Sequence, residues 1–362
     1  MELFGNAISI VGLQHGSEGK GAVAEYYAWL ASIAVRIGAS NAGHTVMHDG
    51  TPYVMRQIPC GWICPTTKLV LGIAAIISLD VLLAEIETFD AIVPIKHRLF
   101  IDSKAHVITN DQIMREAMTG LAERISSTSA KSNLGIGMAM SDKVLRSADC
   151  RMAQDVPELQ PYMCDTVGLL NKDLADGEIV IFEGTQGFGL SLEHGHFPFV
   201  TSRDTTAMAM FAGCGVNPYQ HPCKTDIIGV MRAYPIRVGG PSGMFDEGSV
   251  ELDWEEVARR SGTTRDITEK TSVTKSIRRV ATVSWSGIKK ACLVNGVTEI
   301  ALTFADHIDA SVYEREVLTD KVNEFIAKIE FETGLPVTLV KTGPHTTIDL
   351  NIDRARMMYK IA

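Results

Sequence analysis

The sequence predicts an α/β fold in which a mostly parallel central sheet is covered by helices on both faces. Apolar runs typical of strands alternate with amphipathic runs of helical period along most of the chain. A glycine-rich turn joins the first strand to the first helix, as is typical of parallel α/β sheets. The 362 residues are 46% hydrophobic, which is enough for a large core, and no repeat or linker divides them. We therefore expect one elaborated domain.

The individual elements follow from these runs. A first strand within residues 7–13 carries four apolar β-formers, and the pattern becomes helical from Ala22. Further strands or extended segments are predicted at residues 34–37, 51–58, 69–76, 98–101, 178–182, 226–232, 299–306 and 337–340. Further helices are predicted at residues 79–89, 111–124 and 320–333. Polar loops that contain glycine follow several strands, and open α/β sheets bind their ligands at such loops.

The first of these turns has the composition of a phosphate-binding cradle. Residues 7–21 read AISIVGLQHGSEGKG, and Lys20 supplies a cation. Backbone N–H groups of such a turn and the N-terminus of the next helix converge on an anion. The turn departs from the pattern G-x-x-x-x-G-K-[ST], because Gln14 stands at the first glycine position and Gly21 replaces Ser or Thr. An ordinary tight strand–helix turn is the alternative.

Charge and composition argue against some classes of partner. The net charge of −9 disfavours binding along a nucleic-acid backbone, so we expect no nucleic-acid partner. The most apolar run, residues 69–83, is interrupted by Ser78 and Asp80 and is too short to cross a membrane. The N-terminus has no secretory signal pattern. Seven scattered cysteines favour reduced thiols, so we expect a cytoplasmic protein without a membrane partner.

Eight short motifs match one family in order and cover nearly the whole chain. They are GLQHGSEGKG at residues 12–21, NAGHT at 41–45, IPCG at 58–61, FEGTQG at 182–187, HGHFPFVTSRDTTA at 194–207, RAYPIRVGG at 232–240, LTFAD at 302–306 and TGP at 342–344. Each motif is weak alone, but the ordered set is specific, and the chain resembles the adenylosuccinate synthetase family. The resemblance implies a single domain over residues 1–362 with a P-loop-NTPase-like mostly parallel sheet, helices on both faces and inserted loops.

The family that the chain resembles consists of ligases that form a carbon–nitrogen bond. A nucleoside triphosphate phosphorylates O6 of a purine nucleotide, and the amine of L-aspartate then displaces the phosphate. The resemblance implies Mg²⁺ as the cofactor, with Ser17 and the carbonyl of Gly43 as its ligands. It also implies a homodimer in which Arg146 reaches the neighbouring site.

The resemblance implies further roles residue by residue. The implied catalytic residues are Ser17, Lys20, His44 and Gln186. The implied triphosphate-binding residues are Ser17, Glu18, Gly19, Lys20, Gly21, Gly43, His44, Thr45, Phe304, Asp306, Gly343 and Pro344. The implied purine monophosphate-binding residues are Ser17, Asn41, Thr128 or Ser129, Arg146, Gln186 and Thr201. The implied aspartate-binding residues are Val273, Thr274 and Arg278.

Ser17 departs from the family pattern, which has Asp at this position. That Asp is the general base for the purine N1–H and a Mg²⁺ ligand, whereas an unassisted serine hydroxyl is a poor base near pH 7. Serine is also shorter, and it leaves room for an amino group on C2 of the purine. Serine here resembles the phage branch of the family, which converts dGMP to 2-amino-2′-deoxy-N6-succinyladenylate, in which case we expect the host cytoplasm. The alternatives are a conventional enzyme that uses IMP and GTP, and a nucleotide-binding regulator that has lost the base.

Two further departures concern the phosphate donor and the aspartate. Phe304 stands where the family has Lys; it can stack on any purine but lacks the cation, which favours ATP or dATP over GTP. Asp306 can still accept a hydrogen bond from the 6-amino group of adenine. The aspartate loop reads SVTKSIRR at residues 272–279, where the family has an arginine run after paired threonines. Arg278 keeps the place of a guanidinium that grips a carboxylate, and Ser276 replaces an Arg near the sugar, which favours deoxyribose.

Overall fold

The structure alternates strands and helices along the chain. The computed structural model describes residues 6–121, 134–220, 223–270 and 276–351. Its strands are β1 (Ala7–Gly12), β2 (Ile33–Arg36), β3 (His44–His48), β4 (Thr51–Met55), β5 (Lys68–Leu71), β6 (Ile76–Ile77), β7 (Leu99–Asp102), β8 (His106–Val107), β9 (Arg151–Met152), β10 (Met163–Cys164), β11 (Val180–Glu183), β12 (Thr225–Arg232), β13 (Ile236–Arg237), β14 (Glu251–Leu252), β15 (Arg279–Ala281), β16 (Glu299–Thr303), β17 (Val337–Lys341) and β18 (Thr347–Asp349).

The helices lie between and beside these strands. The α-helices are α1 (Lys20–Ala28), α2 (Leu79–Asp90), α3 (Asn110–Met118), α4 (Ile136–Leu145), α5 (Thr166–Ala175), α6 (Ala207–Cys214), α7 (Trp254–Ser261), α8 (Trp285–Asn295) and α9 (Asp320–Thr333). Short 3₁₀-helices lie at Cys60–Ile63, Ala153–Asp155, Pro157–Tyr162, Phe188–Leu190, Ala305–His307 and Ala310–Val312. Within the described ranges, no helix combines the length and the apolar character that crossing a membrane requires.

The central sheet confirms the predicted α/β class. Its strands follow the order β10-β7-β5-β2-β11-β1-β12-β16-β17-β18 in the described part of the chain. Every neighbouring pair is parallel except β17 and β18 at one edge. Because β1 lies between β11 and β12, the glycine-rich turn that follows it opens at the middle of the sheet's carboxyl edge. Open α/β sheets bind ligands at this edge.

Both faces of the sheet are buried by helices. All six residues of β1 are buried, and successive side chains point to opposite faces. Val11 packs into one hydrophobic cluster with Phe211 of α6, whereas Ile10 packs into a second cluster with Tyr27 of α1. A parallel sheet covered in this way reads as continuous apolar runs in the sequence, which is why its strands are recognisable there.

Three strands are shorter in the structure than the sequence pattern predicts. Residues 69–76 divide into β5 and β6, because the chain leaves the central sheet at Gly72, where a Cβ would lie 2.9 Å from the Ile37 side chain. The strand predicted over residues 299–306 ends at Thr303, since Phe304 has a φ of 56° and precedes a 3₁₀-helix. The segment over residues 51–58 is extended only as far as Met55. Apolar runs indicate burial, but they do not mark these turns.

Candidate active site

The carboxyl ends of the central strands open into a cavity of about 590 Å³. Loops that follow β1, β2, β11, β12 and β16 line it, so it occupies the position expected of a ligand site in this fold. Among the described residues, its lining includes the cations Lys20, Arg56, Arg237 and Arg278 and the carboxylates Glu116 and Glu269. The cavity therefore carries an excess of positive charge in a chain whose net charge is −9, and it favours anionic ligands.

The turn between β1 and α1 is held open by its own carboxylate. Gly16, Ser17 and Gly19 all have left-handed backbones, with φ of 87°, 57° and 85°. For Ser17 this conformation costs on the order of 1 kcal/mol, and such strain persists only where the surroundings impose it. The carboxylate of Glu18 is fully buried and accepts the N–H of Gly16 at 2.7 Å and the ammonium of Lys20 at 2.5 Å. Glu18 thus fixes the turn from inside, and Lys20 lines the cavity.

His44, at the start of β3, is held by Glu183 at the end of β11. His44 Nδ1 lies 2.5 Å from Glu183 Oε1, and Arg36 Nη1 lies 2.9 Å from the same oxygen. Burial alone would raise the pKa of Glu183, but the charge of Arg36 and the hydrogen bond with His44 lower it to about 2. Burial lowers the pKa of His44 to about 4. A neutral ring beside an ionised carboxylate carries its proton on Nδ1, which leaves Nε2 for a ligand.

The same network could be mistaken for a metal site. His44, Cys60 and Glu183 place ligand atoms within 4.8 Å of one another. However, Arg36 already pairs with Glu183, whose other carboxylate oxygen accepts the Cys60 N–H at 2.7 Å. Burial also raises the pKa of the Cys60 thiol well above its usual value, and the protonated thiol donates to Glu183 Oε1 at 3.3 Å. The group is therefore a hydrogen-bond network around a resident guanidinium. Sequence reasoning missed the role of Glu183, because its partner His44 is 139 residues away.

Other side chains of the cavity have hydrogen-bonding capacity that the described structure does not use. Ser40 Oγ and Asn41 Oδ1 are buried without a partner among the described residues. Gln186 has a φ of 60°, and its Nε2 donates to Thr201 Oγ1 at 3.2 Å. All four residues line the cavity. Buried polar atoms in proteins almost always have partners, so this part of the wall is suited to a polar ligand.

Ser17 lies within a group of charged side chains from distant segments. Its exposed hydroxyl accepts from Arg278 Nη1 at 3.2 Å, and its carbonyl accepts from Arg232 Nη1 at 3.2 Å. The fully buried guanidinium of Arg232 also pairs with Glu269 and lies 3.9 Å from the centre of the Phe304 ring. Sequence reasoning named Ser17, Arg278 and Phe304 but not Arg232 or Glu269. Arg232 stands in one of the matched motifs, whereas no local signal marks Glu269.

Comparison with known proteins identifies the family. The family model described as adenylosuccinate synthetase matches residues 9–156 and 151–313. The chain belongs to the adenylosuccinate synthetase family. The adenylosuccinate synthetase of Methanocaldococcus jannaschii is 39% identical over 350 residues, which cover 94% of this chain and 96% of the relative. That of Pyrococcus horikoshii is 34% identical over 345 residues, which cover 93% and 96%.

Two solved structures are similar along nearly the whole chain. The succinoaminodeoxyadenylate synthetase of cyanophage S-2L, bound to dGMP and dATP as an energy donor, has a TM-score of 0.79 at 27% identity and covers 99% of this chain and 100% of its own. The adenylosuccinate synthetase of Plasmodium falciparum has a TM-score of 0.80 at 20% identity, covers 95% and 100%, and shows the shared fold alone. As a family member, the chain is a nucleotide-binding carbon–nitrogen ligase of purine biosynthesis.

The cavity brings together most of the residues that the family resemblance implies. Those that line it are Ser17, Gly19, Lys20, Gly21, Asn41, Gly43, His44, Thr45, Gln186, Thr201, Arg278 and Phe304. They come from six separate segments of the chain, and the parallel sheet brings those segments to one edge. Thr128, Ser129, Val273 and Thr274 lie outside the described residues.

The remaining implied residues do not line the cavity. Glu18 is buried beneath the phosphate loop, as described above. Asp306 is buried and pairs with Arg265 at 2.8 Å. Gly343 packs against Glu314, since a Cβ at this glycine would lie 2.5 Å from the Glu314 carboxyl carbon, and Pro344 follows it.

Arg146 is also outside the cavity of its own chain. It is exposed and ends α4 with a φ of 56°. Within the described residues, its side chain therefore contributes nothing to the cavity lining.

Proposed function

We propose that this ligase joins L-aspartate to C6 of dGMP, with ATP or dATP as the phosphate donor. The donor phosphorylates O6 of guanine while N1 releases its proton. The aspartate amine then attacks C6 and loses a proton, and phosphate leaves with the oxygen that was O6. The products are 2-amino-2′-deoxy-N6-succinyladenylate, the nucleoside diphosphate and phosphate. A structural neighbour that binds dGMP and dATP supports this choice of substrates.

The side chain of Ser17 is the observation that carries the proposal. It is exposed at the cavity, whereas Glu18, the carboxylate of the same loop, is buried and occupied by Gly16 and Lys20. An aspartate at position 17 would direct a carboxylate into the space that the shorter serine leaves open. The 2-amino group of guanine fits this space, whereas hypoxanthine has only hydrogen at that carbon.

The other cavity residues supply binding and electrostatic stabilisation. Lys20 and the N–H groups at the start of α1 would bind the triphosphate and stabilise the charge that develops on the transferred phosphoryl group. His44, whose ring is oriented by Glu183, would present Nε2 to that group. It would donate from Nε2 once the charge of the bound phosphates has raised the pKa of the ring enough for it to take up a second proton. Gln186 would contact the purine nucleotide, and Arg278 would hold a carboxylate of the aspartate with its planar guanidinium.

Mg²⁺ suits the oxygen atoms beside the phosphate loop. Ser17 and Gly43 line the same cavity as Lys20, and a hydroxyl and a carbonyl oxygen are ligands that a hard cation accepts. These two residues would hold the ion together with phosphate oxygens of the donor. The bound ion would neutralise part of the charge of the triphosphate.

The surroundings of Phe304 favour an adenine donor. The Phe304 ring stacks on the Arg232 guanidinium and lines the cavity, where it would offer an apolar surface to any purine. Asp306 is paired with Arg265, which lies 3.4 Å from the centre of the Tyr313 ring. A carboxylate neutralised in this way is a weaker acceptor for the two N–H donors of a guanine edge. ATP or dATP is therefore preferred over GTP.

An apolar surface beside Arg146 supports the expected homodimer. Val144 and Leu145, at the end of α4 and next to Arg146 in the chain, are each exposed by 72%. Contiguous apolar side chains of this kind are typical of contact surfaces. A dimer formed there would place each Arg146 at the edge of the neighbouring subunit. A monomer in sedimentation analysis at micromolar concentration would contradict this part of the proposal.

A conventional enzyme that uses IMP and GTP is the second candidate. The curated relatives support it, because they include adenylosuccinate synthetases such as that of Methanocaldococcus jannaschii, which is 39% identical to this chain. In these terms the two candidates differ in the acceptor base and in the donor base, and both differences can be measured in one assay.

The test is a panel of turnover reactions analysed by mass spectrometry. Purified protein is incubated with L-aspartate, Mg²⁺, dGMP or IMP, and ATP, dATP or GTP, with Lys20→Met as the inactive control. We expect a succinylated product from dGMP with ATP or dATP. Preferred turnover of IMP with GTP would establish the second candidate instead. Nucleotide binding without any product would indicate a regulator that has lost the reaction.

A further inference from the structure

The carboxylates that line the cavity are not equivalent. Among the described lining residues these are Glu116 and Glu269. The two oxygens of Glu116 accept the N–H groups of Gly135 and Gly137 at 2.9 and 2.8 Å, and the side chain thereby holds the start of α4. Glu269 has no such backbone partners among the bonds found; it pairs with Arg232, and 24% of its side chain remains exposed. Glu269 is therefore the carboxylate with lone pairs left for a ligand.

Glu269 also lies beside the position from which the family carboxylate is missing. Arg232 Nη1 donates to the carbonyl of Ser17 at 3.2 Å and to Glu269 Oε2 at 3.3 Å. One nitrogen atom thus joins Ser17 and the Glu269 carboxylate. In addition, the backbone of Glu269 accepts the N–H of Arg278, whose guanidinium contacts the Ser17 hydroxyl. A purine edge that faces Ser17 is consequently close to this carboxylate.

Guanine and hypoxanthine differ at this edge in their hydrogen-bond donors. Guanine presents N1–H and the 2-amino group side by side, whereas hypoxanthine presents N1–H alone. Two adjacent donors match the two oxygens of one carboxylate, and charge-assisted bonds of this kind are about twice as strong as neutral ones. We infer that Glu269 recognises the N1–H and 2-amino edge of the acceptor guanine, and so selects dGMP over nucleotides that lack the 2-amino group.

The charge state of Glu269 is consistent with this role. Burial raises its pKa, but Arg232, Arg278 and His307 together have the larger effect and hold the pKa below its usual value. An ionised carboxylate can accept hydrogen bonds with both of its oxygens, because neither oxygen carries a proton. Serine at position 17 makes the space, and Glu269 supplies the acceptor that makes this space selective. The inference rests on the proposed function, since it concerns the acceptor of that reaction.

The experiment is a comparison of dGMP and dIMP binding, which differ only in the 2-amino group. Dissociation constants are measured by calorimetry for the native protein, for Glu269→Gln and for Glu251→Gln as the control. Glu251 also pairs with an arginine, Arg279, at 2.6 and 2.7 Å, but it does not line the cavity. We expect the native protein and the control to prefer dGMP by about tenfold to a hundredfold, as for one hydrogen bond to a charged group. In Glu269→Gln the preference should fall to about threefold or less.

A purely structural role of Glu269 predicts a different result. If Glu269 serves only as the partner of Arg232, its loss would weaken the binding of dGMP and of dIMP by the same factor. An unchanged preference for dGMP would therefore overturn the inference. Equal binding of dGMP and dIMP by the native protein would also overturn it, without recourse to any variant. If Glu269→Gln does not fold by thermal melting, Glu269→Asp, which keeps the charge, is expected to retain part of the preference. Turnover of dGMP by the native protein, measured separately, shows whether the proposed function holds when this inference fails.

Discussion

The two ends of the cavity differ in how many of their polar and charged side chains already have partners within the protein. At the phosphate end, the side chains are buried and their charges are paired within the protein; this end comprises Glu18, Lys20, Arg36, His44 and Glu183. At the purine end, hydrogen-bonding capacity remains open; this end comprises Ser17, Asn41, Gln186 and Glu269.

This difference separates the common chemistry from the choice of substrate. The phosphate end is preorganised around its own charges, so phosphoryl transfer does not depend on which purine is present. The purine end keeps its polar atoms for the ligand, and a change there alters selectivity without a buried pair being broken. Substitutions at the two ends should therefore have different signatures.

The largest effect is expected at the purine end, from Ser17→Asp. The new carboxylate would fill the space proposed for the 2-amino group and restore a general base, which contributes about 10²- to 10⁴-fold to such reactions. We expect kcat/KM for dGMP to fall, because the 2-amino group loses its space, and kcat/KM for IMP to rise by about 10²- to 10⁴-fold as the base is restored. Steady-state assays with both acceptors measure this. Ser17→Ala is the control, because it keeps the space and should retain the preference for dGMP. An unchanged preference in Ser17→Asp would mean that this residue does not select the base.

At the phosphate end, His44→Asn should lower kcat for dGMP and IMP by the same factor. Removing one preorganised donor that stabilises developing charge costs about 10²- to 10³-fold. The matched control is His48→Asn, on the same strand but outside the cavity lining. A loss confined to one acceptor would show that the two ends are not separable in the way described here.

Stability should depend on the phosphate end, and Glu183→Gln tests this. The substitution leaves the fully buried guanidinium of Arg36 without its charged partner. Breaking a buried pair in this way costs about 3 to 5 kcal/mol of unfolding free energy. Urea unfolding measures it, with Glu251→Gln as an exposed carboxylate–arginine control that should change stability by less than about 1 kcal/mol. Equal effects of the two variants would remove the distinction between a preorganised end and an open one.

The smallest effect is a pH dependence of stability that arises from the same network. The folded-state pKa values of Glu183, about 2, and of His44, about 4, both lie below their usual values. The unfolded chain therefore binds more protons than the folded protein, first at His44 as the pH falls from about 6.5 and then at Glu183 below about 4.5. Unfolding free energy should decrease as the pH falls through these ranges. The curve of Glu183→Gln should be flatter below pH 4.5, and a parallel curve would contradict the assignment.

The sequence was sufficient for the sheet and for most of the cavity. Continuous apolar runs such as Val180–Glu183 predict buried parallel strands, and the motifs at their carboxyl ends placed Ser17, His44 and Gln186 near one another. Pairings between distant segments were not predictable. Glu269 and Arg232 are 37 residues apart in the chain and come together through tertiary packing. The sequence around either residue does not indicate that the two form a pair.

Turns were the second class of feature that the sequence did not reveal. Phe304 is an aromatic residue in an apolar run, which predicts a strand, yet its backbone is left-handed. Stacking on Arg232 and the following 3₁₀-helix compensate for this local cost. The surrounding structure, not the local sequence, determines the backbone at such a position. Here the position that departs from its local preference lies at the cavity itself.

The most direct test of the account is a crystal structure of the protein with dGMP bound. We expect the 2-amino nitrogen to lie against Ser17, within about 3 Å of a carboxylate oxygen of Glu269. A structure in which a side chain or ordered water fills the space beside Ser17, with the purine bound elsewhere in the cavity, would contradict the central claim.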